Sequence, residues 1–395
     1  MANKNLSKAK KAKNDEFYTQ YIDIQKEVEA YLEYDKNTFK GKVVYCNCDD
    51  PYESNFFRYF VLNFNRLGLK KLITTSYKPS PMADIQLELF GDNKTLKQTR
   101  GQSDIPATRF IITEVGDYDG DGEFNLKDIA KQLRDNKKNE WSPLKGKGDF
   151  RSEESIELLK QSDIIVTNPP FSLFREYVAQ LVEYKKRFLI IGNKNAVTYK
   201  EIFPLIKDNK IWSGSSKWSS MYFVVPKKEE LVSTPAIWFT NLDHGRRHEP
   251  LSLMTGAENL KYNSKLKKKL NGAKDYQKYD NYDAIEVPFT DAIPSDYKGV
   301  MGVPISFLSK YNPEQFEVLG ATQRGCHDEV PDTKKYDDYW EVRQSGKKTG
   351  SSGRKTNENA NLVANDGRNN YFINKEGRVI QSAYQRIFIK HKKAK

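Results

Sequence analysis

Apolar residues in the first half of the chain come in short continuous runs, each stopped by turn-forming residues. In 41–51 (GKVVYCNCDDP), Val43, Val44 and Tyr45 lead straight into Asn, Asp and Pro, the pattern of a buried strand ending in a polar turn. Ser54 then opens a helix with Asn55-Phe56-Phe57-Arg58-Tyr59-Phe60. Further strands are expected at 71–76 (KLITTS), at 163–167 (DIIVT, stopped by Asn168-Pro169-Pro170) and at 187–192 (RFLIIG). Between the last two, Leu173, Phe174, Tyr177, Val178, Leu181 and Val182 recur at helical spacing. Strand, helix and strand joined by short connections imply parallel pairing and a doubly wound α/β layer. Two more runs, 221–225 and 236–239, read as strands that close this sheet as an antiparallel pair.

The segment 78–148, rich in Gly, Asp and Lys, interrupts the pattern as an insertion. After His244 the texture changes: seven lysines fall within 261–278, and strand-like runs return at 299–308 and 316–320. The polar, basic, low-complexity stretch 343–367 is expected to be a mobile loop. A final hairpin is expected from 371–373 and 379–389 around Glu376-Gly377. The boundaries that follow are 1–244 for a first domain and 245–395 for a second.

Composition narrows the class. The apolar share is only 37%, yet 23 Tyr, 21 Phe and 5 Trp supply enough large side chains for a core, which excludes wholesale disorder. Three cysteines make neither a disulfide framework nor a four-Cys zinc site, and four histidines argue against a His-rich metal centre. No run of about 18 apolar residues appears, and the basic N-terminus lacks an apolar signal core, so a cytoplasmic protein is expected. Sixty-five Lys plus Arg against 53 Asp plus Glu leave a net charge of +12, which favours a polyanionic partner.

Asn168-Pro169-Pro170-Phe171 carries the most chemistry. It follows an apolar strand, so it lies at the carboxyl edge of a parallel sheet, where such folds bind ligands. The prolines stiffen the backbone and remove two N–H donors while leaving carbonyl acceptors. The Asn168 side-chain carbonyl and the Pro169 carbonyl suit the two hydrogens of an exocyclic –NH2, and Phe171 offers a flat face for its ring. An amine held by both hydrogens keeps its nitrogen lone pair off the ring and becomes nucleophilic.

A set of ordered motifs then becomes recognisable: DEFYTQ (15–20), VVYCNCDDP (43–51), GDFRSEES (148–155) and TNPPFSLFREYV (167–178). The likeness continues through RFLIIGN, TYKEIF, AIWFTNLDH, YDNYDAI and GVMGVPISFL. Together these resemble an adenine-specific DNA methyltransferase of the EcoRI type, dependent on S-adenosylmethionine. The resemblance implies a Rossmann-like, mostly parallel sheet of the class I methyltransferase kind, followed by a mixed α+β target-recognition region over 245–395. It implies that Phe17, Tyr18 and Thr19 pack on the methionine half of the cofactor. Cys46, Asn47, Cys48, Asp49, Asp50 and Pro51 would form the first cofactor turn, and Asp149 with Phe150 would read its adenine. Asn168, Pro169, Pro170 and Phe171 would hold the target base. Two departures stand out: the usual glycine-rich first turn is replaced by Asp49-Asp50-Pro51, and no acidic residue ends the second strand at Ser76-Tyr77. The ribose contact therefore stays open, with Asp49 or Asp50 as candidates.

The implied reaction is N6-methylation of a flipped-out adenine in double-stranded DNA by a monomer, in a restriction–modification or stand-alone role. Methylation of RNA adenine or of a protein glutamine is the alternative chemistry, and a silent nucleic-acid-binding module the alternative class. Lys10, Lys11 and Lys13 of the N-terminal arm, Arg246, Arg247, Lys267 and Lys268 are the candidate phosphate contacts. Residues 117–128 resemble a calcium loop, with Asp117, Asp119, Asp121 and Asp128 at ligand positions, but a lone copy without a leading helix reads first as a solvated acidic turn. Calcium bound there would be structural. Cys46-x-Cys48 and the His244/His248 pair read as packing or loop residues rather than metal ligands.

Overall fold

The computed structural model describes residues 18–48, 54–76, 107–118, 120–122, 124–125, 128–129, 131–132, 138–224, 231–322, 326, 329–364 and 370–392. The chain divides into two compact units, Met1–Lys194 with Trp212–Gly245, and Asn195–Ile211 with Arg246–Lys395. Residues 195–211, expected in the first part, thus belong with the second unit.

The first unit carries, in chain order, strands β1 (Tyr18–Thr19), β2 (Val43–Cys46), β3 (Lys71–Thr75), β4 (Thr108–Ile112), β5 (Glu140–Pro143), β6 (Ile164–Thr167), β7 (Arg187–Asn193), β8 (Trp212–Ser213), β9 (Met221–Val224), β10 (Leu231–Thr234) and β11 (Ala236–Thr240). Eight of these form one sheet in the order β5-β4-β3-β2-β6-β7-β11-β8. The central pairs β3–β2, β2–β6 and β6–β7 are parallel, and the flanking pairs are antiparallel. The chain leaves β2 to one side and returns on the other as β6, so the sheet reverses its winding between these two strands. A crevice opens at the carboxyl ends of such a pair.

All four residues of β2 and of β6 are buried, which is why both read as unbroken apolar runs rather than alternating ones. Ser54 caps helix α1 (Asn55–Leu62), its hydroxyl accepting from the N–H groups of Phe56 at 3.1 Å and Phe57 at 3.3 Å. Helix α2 (Glu153–Gln161) starts on Ser152, whose hydroxyl accepts from Ser155 N–H. Helix α3 (Phe174–Glu183) buries Phe174, Tyr177, Val178 and Leu181, the spacing read from the sequence. Gly192 of β7 lies so close under the Phe174 ring that a Cβ there would fall 2.4 Å from it, so this contact requires glycine.

Two expectations are corrected here. Only β11 joins the main sheet; β9 forms a separate three-stranded sheet in the order β1-β9-β10. The supposed insertion contributes β4 and β5, which extend the main sheet on the β3 side, while 77–106 lie outside the described residues. Alternation between half-exposed and buried positions in β4 marks an outer strand, less visible in sequence than a fully buried one.

The second unit holds a four-stranded sheet, order Ala284–Glu286, Val300–Pro304, Arg386–His391, Phe316–Ala321, and a five-stranded antiparallel sheet, order Lys348–Ser352, Trp340–Val342, Tyr371–Ile373, Val379–Ser382, Asn361–Ala364. The expected final hairpin is half right. Tyr371–Ile373 and Val379–Ser382 pair across the turn at Gly377, but Arg386–His391 crosses into the middle of the other sheet. There Arg386 donates to buried Glu286, at 2.9 Å from Nε and 2.5 Å from Nη2. The stretch taken as a mobile loop supplies two strands and a short 3-10 turn, Gly353–Thr356. Backbone pairing needs no apolar side chains, and buried Thr356 and Asn361 bond each other at 2.7 Å.

Candidate active site

The carboxyl ends of β2 and β6 lie side by side. Past β2, the backbone turns at Asn47 and reaches a left-handed conformation at Cys48 (φ 62°), which a non-glycine residue adopts at a cost. The turn is fixed from the neighbouring strand: the Thr167 hydroxyl donates to the Asn47 backbone carbonyl. From α3, the Tyr177 hydroxyl donates to the Asn47 side-chain carbonyl. Asn47 is thereby held, buried, between the two strands that frame the crevice.

Asn168-Pro169-Pro170-Phe171 leaves β6 at this edge. The Pro170 carbonyl accepts from Leu173 N–H at 3.0 Å and starts the 3-10 turn Phe171–Leu173. Asn168, Pro170 and Phe171 are half-buried, Pro169 buried. The Phe171 ring is packed against the main core and meets Phe223 of β9 edge-on, with centroids 6.5 Å apart. β9 in turn pairs with β1, Thr19 opposite Phe223 and Tyr18 opposite Val224. Two motifs about 150 residues apart in sequence thus meet through one phenylalanine. The Thr19 carbonyl also accepts from Asn55 Nδ2 at 2.8 Å, which ties β1 to the start of α1.

Asp149-Phe150 reaches the same region from another direction. Phe150 is buried against Tyr177, edge to face, with centroids 5.0 Å apart. Its carbonyl accepts from Gln180 Nε2 at 3.1 Å. Asp149 pairs with Arg151 at 2.7 Å, and the Arg151 hydrogen bonds hold its carboxyl below the ordinary carboxylate range. Arg151 also reaches Glu176 of α3 at 3.0 Å. Tyr177, which sequence reasoning treated as one more core position, is the hinge of this cluster: it touches both Asn47 and Phe150. Its place in the apolar helix stripe gave no hint of this; only the strand packing supplies Asn47 as a partner.

Phe17, Asp49, Asp50 and Pro51 lie outside the described residues, as do Lys10, Lys11, Lys13 and Asp119. Arg247 is not available as expected: it is buried in the second unit and its guanidinium donates to Asn209 Oδ1. Arg246 is half-exposed. Lys267 and Lys268 stand exposed on the helix Ser264–Leu270, which is anchored by buried Leu266 and Leu270. The acidic loop is not supported as a calcium site. Asp117 spends its carboxylate on the N–H groups of Gly120 and Gly122, and Asp128 on those of Tyr118 and Asn125, all at 2.7–2.8 Å. Among the described residues, no three His, Cys, Asp or Glu side chains gather as a metal requires.

An acceptor-bearing turn and an aromatic side chain thus stand together at the edge of a sheet with a parallel centre, and the chain's likeness to known proteins makes it an adenine-specific methyltransferase. The chain belongs to the family described as adenine-specific methyltransferase EcoRI, whose pattern matches residues 5–392. It is 46% identical over 333 residues to the type II methyltransferase M.EcoRI of Escherichia coli, covering 80% of this chain and 89% of that one. It is 40% identical over 320 residues to the type II methyltransferase M.MpnI of Mycoplasma pneumoniae, covering 80% and 84%. A third relative, the type II methyltransferase M.MgeORF184P of Mycoplasma genitalium, is 36% identical over 331 residues, covering 80% and 85%. No solved structure matches the chain. Among the described residues, no helix is long and apolar enough to cross a membrane.

Proposed function

We propose that the first unit is the catalytic domain of a site-specific DNA adenine N6-methyltransferase, a Rossmann-like doubly wound fold, and that the second unit is its target-recognition region. The observation that carries this reading is the placement of Asn168–Phe171 at the β2/β6 crevice, with Tyr18 and Thr19 brought beside it by β9.

The family implies S-adenosylmethionine, and the residues fit it. The Thr19 hydroxyl is buried without a hydrogen-bond partner among the described residues, so a polar group of a ligand would satisfy it. Phe150 and Phe171 are aromatic walls, and the Asn47–Cys48 turn and Asp149 supply polar atoms at the same edge. When bound, the cofactor supplies a methyl group already activated on a sulfonium, so the protein contributes alignment more than acid–base chemistry.

The remaining roles fall to the chain. Asn168 Oδ1 and the Pro169 carbonyl accept the two hydrogens of the adenine amine, and the nitrogen lone pair turns toward the methyl carbon. The amine, once methylated, would release one proton to solvent. No His or Glu base is needed. The target must leave the duplex, which costs a few kcal/mol of unstacking; stacking on Phe171 and phosphate contacts by exposed lysines such as Lys267 and Lys268 offset that cost. A labelled methyl-transfer assay on duplex DNA, RNA and protein tests the substrate class. Label in DNA as N6-methyladenine is the expected result, and label in RNA or protein alone overturns it.

A further inference from the structure

Glu27 is a carboxylate with no part in the chemistry above, yet it is wholly buried. It projects from the helix Tyr21–Tyr34 onto the loop 214–220, which runs from β8 to β9. Its two oxygens accept from successive backbone N–H groups, Ser215 at 2.6 Å and Ser216 at 2.8 Å. Burial raises the Glu27 carboxyl above its ordinary range, and the bonds from Ser216 and Ser215 work against that rise; hydrogen bonds made in a low-dielectric interior are stronger than the same bonds in water. Gly214 completes the fit: a Cβ there would stand 2.2 Å from the Glu27 carboxylate oxygen and 2.5 Å from Trp238 Cβ. Its N–H meanwhile donates to the Trp238 carbonyl at 2.9 Å. The base of the loop is therefore fixed from a helix on one side and from β11 on the other. The same helix holds the far end of the segment, because Gln20 at its start donates from Nε2 to the Tyr222 carbonyl at 3.0 Å.

Four residues separate Ser216 from Met221, where the loop becomes β9, which brings Phe223 against Phe171 and aligns Thr19 and Tyr18. We infer that Glu27 is a positioning residue for methyl transfer: by clamping Ser215 and Ser216 it sets the height of β9, and through Phe223 the plane of Phe171 on which the target base stacks. Burying a carboxylate for a purely structural turn is expensive, whereas a small displacement of an aromatic wall is costly to an aligned reaction. The inference rests on the reading of Phe171 as the base-stacking wall.

The test uses the full chain and a duplex carrying its methylation site, mapped by sequencing for N6-methyladenine: methyl transfer is followed on the adenine duplex, and emission on a second duplex with 2-aminopurine, which has no 6-amino group to methylate, at the target position. Glu27→Ala is expected to bind DNA nearly as the wild type does, to leave the flipped base poorly stacked and therefore brighter, and to slow single-turnover methyl transfer by about ten- to a hundredfold. Glu27→Gln keeps one acceptor but sets its NH2 against the second backbone N–H, so it should recover only part of both signals. Gly214→Ala pushes on the same carboxylate from the other side and should reproduce the defect, so the test stands even where Glu27→Ala folds poorly. Folded Glu27→Ala or Gly214→Ala protein with wild-type rate and emission overturns the inference. Phe171→Ala separates the two ideas: if it alone leaves rate and emission unchanged, the base-wall reading fails and the role of Glu27 falls with it.

Discussion

The phenol of Tyr177 donates to the side-chain carbonyl of Asn47, joining residues 130 positions apart across the crevice of the main sheet. Burial pushes the phenol well above its ordinary pKa, so it stays a donor across the working pH range. Tyr177→Phe keeps the ring against Phe150 but strands a buried acceptor, which costs about 1–3 kcal/mol. Chemical denaturation should show that loss, and calorimetry should show weaker S-adenosylmethionine binding. An unchanged affinity for the cofactor would separate the Asn47 turn from its site.

Asn168→Ala removes one of the two acceptors proposed for the target amine. Turnover is expected to vanish while cofactor binding persists, measured by methyl incorporation alongside calorimetry. Near-wild-type methylation by this variant would remove the central assignment.

Exposed charge in the second unit should be read by salt. Lys267 and Lys268 stand away from the buried Leu266/Leu270 anchor, so replacing both with Ala should leave folding intact. Removing one lysine–phosphate pairing lowers the slope of log affinity against log salt by roughly one. Cofactor binding should respond little to salt. A flat salt response of DNA binding in the wild type would make these lysines ordinary surface.

Glu341 gives a pH signature for the second unit. Burial alone would raise its carboxyl, but Lys355, Thr349 and Asn370 reverse this and bring it down to about 2 from an ordinary 4.5. Lys355 lies 2.9 Å and 3.0 Å from its oxygens. Because the folded value lies below the unfolded one, the stabilisation is complete above pH 4.5 and fades as pH falls toward 2. Lys355→Met should cost about 1 kcal/mol at pH 7, a modest figure because Lys355 is largely exposed. The gap between the two proteins should narrow in denaturant titrations at pH 3.

Thermal melting should not respond to calcium or to a chelator, since Asp117 and Asp128 already hold four backbone N–H groups of their own loop. A rise of several degrees with calcium would reinstate the ion.

The central strands and the Asn168–Phe171 turn were legible because each is a local signal: an unbroken apolar run buried on both faces, then a rigid stop. The sequence was weaker wherever a strand's partner lies far along the chain. Met221–Val224 has strand composition, but nothing in it says whether it pairs with β11 or with Tyr18–Thr19. Residues 348–352 and 361–364 look like a loop because backbone pairing, not apolar side chains, makes them strands. Arg247 reads as a surface cation until Asn209 is placed beside it.

By itself, then, the sequence determined the parallel centre of the sheet, the rigid turn at Asn168–Phe171 and, through ordered motifs, the family. Only the tertiary structure decided that Tyr177 fixes Asn47, that Phe223 joins Thr19 to Phe171, and that Glu27 clamps the loop leading into β9. The reason is physical: periodicity and turn chemistry act over a few residues, whereas these contacts depend on which strands lie side by side, and pairing across a hundred or more residues leaves no mark on either partner alone.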